Sequence, residues 1–188
     1  MSKTTQIDII RAFEKVLLKK SYAKINVKDI TDICGLNRKT FYYYFSDIND
    51  LLVKAFDFEI NNFFENQPDG TEINASLISF FDMVNNYREV VYHIYNSSGY
   101  DHLVAYIKGA VANIIGNGLK ESYSNAGLTE EQKEIITLTL VNTVTGFILE
   151  WLDGDMRKDV RTYVSLVGNL LIGVTETMIS NAVKLNTK

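Results

Sequence analysis

The sequence predicts an all-α protein with a small helical head at its N-terminus. Breakers are scarce: one proline (Pro68) and 11 glycines in 188 residues leave few places for regular structure to stop. Apolar residues, β-branched ones included, recur at helical periods and not in alternation. Two short segments between residues 27 and 45 meet at a glycine, as in a helix-turn-helix. With 46% hydrophobic residues the chain can bury a sizeable core, and its length fits one or two modest domains.

The first helix is expected over about residues 4 to 20, with Ile10, Phe13 and Leu17 on one face and a basic LLKK end that suits a helix C-terminus. Asn26 caps a short second helix, VKDITDIC, whose inward residues are Val27, Ile30 and either Cys34 or Ile33. Gly35 stops it. Asn37 caps a third, RKTFYYYF, and Ser46 or Asp47 caps a longer fourth that runs to about Asn66. Gln67-Pro68-Asp69-Gly70-Thr71 is the clearest break. Further helical segments follow at about 72 to 86, 88 to 97, 100 to 124, 129 to 152 and 158 to 183.

Charge is distributed unevenly. Residues 1 to 54 carry 10 Lys/Arg against 6 Asp/Glu, and the remainder 9 against 17, so a basic head precedes an acidic body. That polarity suits a polyanion bound by the head alone, although ordinary solvated charge gives the same pattern. Cys34 is the single cysteine, which excludes an intrachain disulfide. The stretch MSKTTQIDII lacks the apolar segment of a signal peptide, and no long apolar run marks a membrane span, so a reducing, cytoplasmic setting without a membrane partner is expected. No Gly-rich phosphate loop, nucleophile motif or cysteine-histidine cluster argues for an enzyme or a cofactor. His93 and His102 lack the neighbours that a zinc site needs, and Glu130, Glu131 and Glu134 at a helix start serve the macrodipole.

The stretch GLNRKTFYYYF, residues 35 to 45, carries the most information. Each residue advances about 100° around a helix, which places Phe41, Tyr44 and Phe45 on one arc and Lys39, Thr40, Tyr42 and Tyr43 on the other. The first arc faces a small core. The second, with Arg38 at the helix start, offers cations for phosphates, hydroxyls for phosphate oxygens, and flat rings for sugars or a thymine methyl. Packing of Tyr42 and Tyr43 against another helix is the plainer alternative. Lys28, Arg38 and Lys39 supply the expected electrostatics.

Residues 5 to 55 resemble the DNA-binding domain of TetR-family transcriptional regulators, the pattern here reading DITDICGLNRKTFYYYFSDINDLL. The resemblance implies that Asn37 holds the capping position, that Thr40 and Tyr42 make phosphate or base contacts, and that Tyr43 reads bases. It places Phe41 and Phe45 in the core and Cys34 at a small packing position. One departure stands out: family members commonly begin the fourth helix with a phosphate-binding lysine, where this sequence has Ile48. The helix amides near Asp47 are the expected substitute, weakened by that acidic side chain. The head also resembles regulators linked to dihydroxyacetone-kinase operons, in which an effector acts through a protein partner. TGFILEWLDGD is similar to a Gly-x-x-x-x-Trp-Leu element of some TetR-like C-terminal domains.

The expected organisation is a three-helix DNA-binding domain over residues 1–46 and a larger helical ligand-binding and dimerisation domain over 47–188, with 47–66 as the connecting helix. A homodimer on a palindromic double-stranded operator follows, its two recognition helices about 34 Å apart or a multiple of that. Surplus apolar surface on the last two helices suggests the dimer interface: Ile135, Leu138 and Leu149 on one, and the stripe Val160, Val164, Val167, Leu171, Val174 and Met178 on the other. Tyr163, Leu166 and Leu170 form a second flank, and Ile136, Leu140, Phe147 and Trp151 a second side of the preceding helix. The resemblance implies a small-molecule effector or a protein co-regulator. Candidates to line its pocket are Tyr87, Tyr92, His93, Tyr95, Tyr106, Asn142, Thr145, Phe147 and Trp151, each of which also suits a plain core. The resulting expectation is a ligand-responsive repressor, with a TetR-like activator or adaptor working through a protein partner as the alternative.

Overall fold

The computed structural model describes residues 3–68 and 70–186. Met1, Ser2 and the Asp69 of the expected break lie outside the described residues. The chain forms α1 (Lys3–Leu17), a 3₁₀ turn (Tyr22–Lys24), α2 (Val27–Cys34), α3 (Arg38–Tyr44), α4 (Ile48–Glu65), α5 (Ile73–Asn86), α6 (Arg88–Tyr95), α7 (Tyr100–Asn125), α8 (Glu130–Asp153) and α9 (Val160–Leu185). No strand occurs among the described residues, so the all-α expectation holds.

Two compact units share this chain. The first comprises the described residues up to Glu65 together with Tyr87–Tyr106; the second comprises Asn66–Asn86 and the described residues from Ile107 onward. The connecting helix α4 therefore groups with the three-helix head, and so do α6 and the first turns of α7.

In the first unit, local chemistry sets each helix boundary. Asn26 and Asp29 form a reciprocal capping box: the Asp29 amide donates to Asn26 Oδ1 (3.2 Å) and the Asn26 amide to Asp29 Oδ2 (2.9 Å). Gly35 ends α2 at φ 65°, a left-handed conformation that costs a side-chain-bearing residue about 1 kcal/mol and glycine almost nothing. Ile9, Phe13, Ile30, Phe41, Phe45 and Leu51 meet in the core of the head. Of the alternatives at the end of α2, Ile33 is exposed, while Cys34 is half-buried with its thiol donating to the Ile30 carbonyl at 3.2 Å. Burial pushes that thiol above its ordinary pKa, which suits a packing role.

Polar struts tie α1, α4 and α6 together. Arg11 bridges Glu14 (2.9 Å) and Glu59 (3.0 Å), and the Tyr87 hydroxyl donates to the other oxygen of Glu59. The His93 ring lies 2.5 Å from the carbonyl of Leu17, the last residue of α1. A carbonyl can only accept, so Nδ1 carries the proton there.

The second unit is a helical bundle in which α9 packs against both α5 and α8. Its core includes Phe80, Phe81, Val144, Ile148, Trp151 and Val164. Trp151 stacks obliquely on Phe81 and donates its indole N–H to the Lys158 carbonyl at 3.1 Å, which fixes the turn between α8 and α9. Helices α8 and α9 are each long and apolar enough to cross a membrane by length and composition alone; in this fold they serve as bundle helices.

Candidate nucleic-acid interface

The third helix begins where the Asn37 side chain accepts the Thr40 amide at 2.8 Å, with Asn37 itself in extended backbone. From that start the two arcs separate, except that Phe45 reaches the core as the extended C-cap of α3 (φ −137°, ψ 130°) and not as part of its helical arc. Phe41 and Phe45 are 0% and 1% exposed, whereas Tyr42 and Tyr43 are 56% and 69% exposed. Tyr44 is half-buried, and Arg38 and Lys39 lie in solvent. Each exposed ring rests edge-on against an inner one, Tyr42 on Phe41 (5.4 Å) and Tyr43 on Tyr44 (4.9 Å), so neither is free to collapse onto the head. Burying two such rings is worth roughly 1.5 to 3 kcal/mol each, an energy left unrealised in the free protein.

Thr40 is half-buried, and its hydroxyl donates to Asn37 Oδ1 at 3.2 Å, so a phosphate contact would redirect that proton. Lys28, on α2, is exposed. Lys28, Arg38 and Lys39 are thus solvent-facing cations on the helix-turn-helix, the latter two close to the tyrosine pair in sequence.

The start of α4 corrects one expectation. Two amides there already have carboxylate acceptors: the Ser46 amide, just before the helix, donates to Asp50 Oδ2 and the Asp50 amide to Asp47 Oδ1, both at 2.8 Å. Carboxylates of the chain itself thus compete with a phosphate at the positive end of the helix. The Asp50 carboxyl is held below the usual range, first by the Ser46 amide and then by Lys54. Lys54 was not anticipated as a site residue. Its ammonium binds Asp50 (3.0 Å) and also the carbonyl of Tyr44 (2.9 Å), the last residue of α3, and it sits 5.2 Å from the Phe45 ring centroid. One side chain therefore ties the recognition helix to α4. The Asp50–Lys54 spacing announces the ion pair; nothing local announces the reach to Tyr44.

The nine expected pocket residues are divided between the two units. Tyr87, Tyr92, His93, Tyr95 and Tyr106 belong to the first unit and Asn142, Thr145, Phe147 and Trp151 to the second. Tyr87 and His93 serve as struts, Tyr106 stacks on Phe56 at 4.4 Å, Tyr95 packs edge-on against Tyr100, and Tyr92 is exposed. Burial raises the Tyr106 hydroxyl well above its ordinary pKa. In the second unit Asn142 and Phe147 are exposed, Trp151 is core, and Thr145 is a buried hydroxyl without a partner among the described residues. A cavity of about 530 Å³ does exist there, between the N-terminal end of α5 and the helices α7, α8 and α9, and none of the nine lines it. Its size lies within the range of small-molecule sites.

The expected dimer stripe also shifts. Val160, Val164 and Val167 are buried inside the second unit, on the helix that packs against α5, and are not available to a partner. Leu171 and Met178 are half-buried, as is Leu149. Of the expected residues Val174 (49%) on α9 and Ile135 (56%) and Leu138 (49%) on α8 are exposed, and Leu166 (60%) and Leu170 (66%) of the second flank of α9 are exposed with them.

Comparison with known proteins matches this architecture. The profile described as bacterial regulatory proteins, tetR family, matches residues 9–55, and that of a transcriptional regulator C-terminal region matches residues 71–173. No curated protein matches the chain. Among solved structures, the dihydroxyacetone kinase operon activator DhaS superposes with a TM-score of 0.75 at 18% identity, covering 94% of this chain and 98% of its own. The fatty acid degradation regulator FadR from Bacillus halodurans gives 0.66 at 18% identity over 91% and 96% of the two chains. A tetR-family transcriptional regulator from Streptomyces coelicolor gives 0.63 at 18% identity over 98% and 88%. At such identity these neighbours speak for the fold; the two profiles, which together span most of the chain, speak for the family. The chain belongs to the TetR family of transcriptional regulators, with its helix-turn-helix DNA-binding domain at the N-terminus and a helical regulatory region behind it.

Proposed function

We infer that this regulator acts in the cytoplasm as a homodimer, binding a palindromic operator through α3 and releasing it when a small molecule occupies the second unit. The observation that carries the reading is the outer arc of α3, where two tyrosines stay exposed beside Arg38 and Lys39 although the same helix buries Phe41 completely and its C-cap Phe45 almost so. In this reading Lys28, Arg38 and Lys39 neutralise phosphates, Asn37, Thr40 and Tyr42 position the helix, and Tyr43 contacts base edges. The exposed flank of Leu166, Leu170 and Val174 with Ile135 and Leu138, together with the half-buried Leu149, supports a four-helix interface between subunits. A coupling of about 1 to 3 kcal/mol between effector and operator, or 5-fold to 150-fold in affinity, makes a usable switch.

The two carboxylates at the start of α4, where Ile48 stands in place of a cation, favour a second reading, an activator or adaptor that works through a protein partner and holds DNA weakly. Expression from the adjoining promoter in a deletion strain reads the sign directly, rising for a repressor and falling for an activator.

Competition gel shifts test the assignment of roles. Lys39→Ala should weaken binding to all duplexes alike, while Tyr43→Ala should narrow the gap between operator and random duplex. Identical behaviour of the two variants would remove the distinction between positioning and reading.

A further inference from the structure

We propose that the cavity of the second unit takes an amphiphile with an apolar body and a cationic head, such as a lipophilic amine or quaternary ammonium compound. This rests on the ligand-responsive reading above and adds the chemical class of the ligand. The walls of the cavity are apolar: Leu77 from α5, Ile115 from α7, Leu140 and Val144 from α8, and Leu171 from α9 line it. Ile172, half exposed at 51%, belongs to the same wall, which accounts for a large apolar side chain left in solvent there. Asn74 contributes an amide close to Gly168, where a Cβ would overlap Asn74 Oδ1.

The charged groups at the cavity decide the class. Glu72, Glu121 and Glu176 line it against a single cation, Lys120. The surrounding residues add to the field, since 66–86 and 107–188 carry 12 Asp/Glu against 8 Lys/Arg. An anionic amphiphile, a carboxylate or an acyl thioester of coenzyme A, would bring its charge to three carboxylates; a cationic head meets the opposite sign. All four groups are exposed, so each pair is screened and modest, and their sum sets a preference more than an affinity. The cavity also stays clear of the proposed dimer flank, because Ile172 and Ile179 lie roughly opposite Leu170 around α9.

Isothermal titration of the full chain with decyltrimethylammonium, decanol and decanoate, each below its micellar concentration, separates body from head. The cation should bind about tenfold more tightly than the carboxylate, with the alcohol between. Combined Glu72→Gln, Glu121→Gln and Glu176→Gln substitutions, all at exposed positions, should close most of that gap. Ile172→Lys, also at an exposed position, should weaken the cation and strengthen decanoate. Decanoate binding as tightly as the cation, a gap unchanged in the triple variant, or no uptake of decanol would overturn the proposal. Gel shifts on the same preparation keep the two readings apart. Cation uptake without duplex binding removes the regulator and leaves the cavity, whereas duplex binding with a decanoate preference does the reverse.

Discussion

Tyr43 and Tyr44 are adjacent in sequence yet separated by about 100° around α3, and that rotation gives them different work. Tyr44 lies beside the core pair Phe41 and Phe45, and its carbonyl receives the Lys54 ammonium at 2.9 Å. Tyr43 stands out at 69% exposure. The separation of Phe41 from Tyr42 and Tyr43 was readable from helical geometry; that Phe45 reaches the core from an extended C-cap just past the seven-residue helix was not. Lys54 was not readable in full: its pairing with Asp50 follows from spacing, but its bond to Tyr44 depends on the angle between α3 and α4. Lys54→Met should therefore lower stability by about 1 kcal/mol or less, given that the lysine is partly exposed, and should weaken operator binding beyond that. Urea midpoints and gel shifts measure the two effects; an unchanged operator affinity would show that α3 needs no such tether.

Helix boundaries were legible because they are set by single residues with one dominant preference. Asn26, Gly35 and Asn37 each cap or stop a helix where expected, and the structure adds Thr129, which caps α8 in a reciprocal box with Gln132. Faces of the longer helices were less so. Helices α8 and α9 are apolar on more than one side, and periodicity cannot rank two apolar flanks; packing against α5 buries the Val160, Val164 and Val167 side and leaves Leu166 and Leu170 outside. None of the residues named for a pocket lines the cavity of the second unit, for a related reason: a list along the chain carries no relative phase between helices. The caps also make the head sensitive to acid. Asp29, held low by Lys20 and the Asn26 amide, and Asp50, held low by the Ser46 amide and Lys54, are depressed in the folded state. Their contribution is present above the unfolded carboxylate pKa and is lost as pH falls through the folded values. Urea midpoints of the wild type should fall on acidification through that range, and Asp50→Asn should flatten the decline; a parallel decline in both would place the acid sensitivity elsewhere.

At the scale of the molecule, the chain divides its labour between two compact units, with α7 contributing residues to both. The basic head and acidic body seen in composition survive in the structure as exposed cations on α2 and α3 and carboxylates around the cavity of the second unit. Dimerisation through α8 and α9 is tested by Leu166→Glu with Leu170→Glu. Light scattering at micromolar concentration should report a monomer in place of a dimer, and operator affinity should collapse with it, because one head alone makes half the contacts. A variant that stays dimeric would move the interface to another surface. The most direct test of the central claim is the salt dependence of duplex binding by the full chain. Lys28, Arg38 and Lys39 from two subunits predict a slope of log affinity against log salt of roughly −5, reduced in magnitude by about 2 in Lys39→Ala. Absence of duplex binding at low salt, or a slope that Lys39→Ala leaves untouched, would contradict the account.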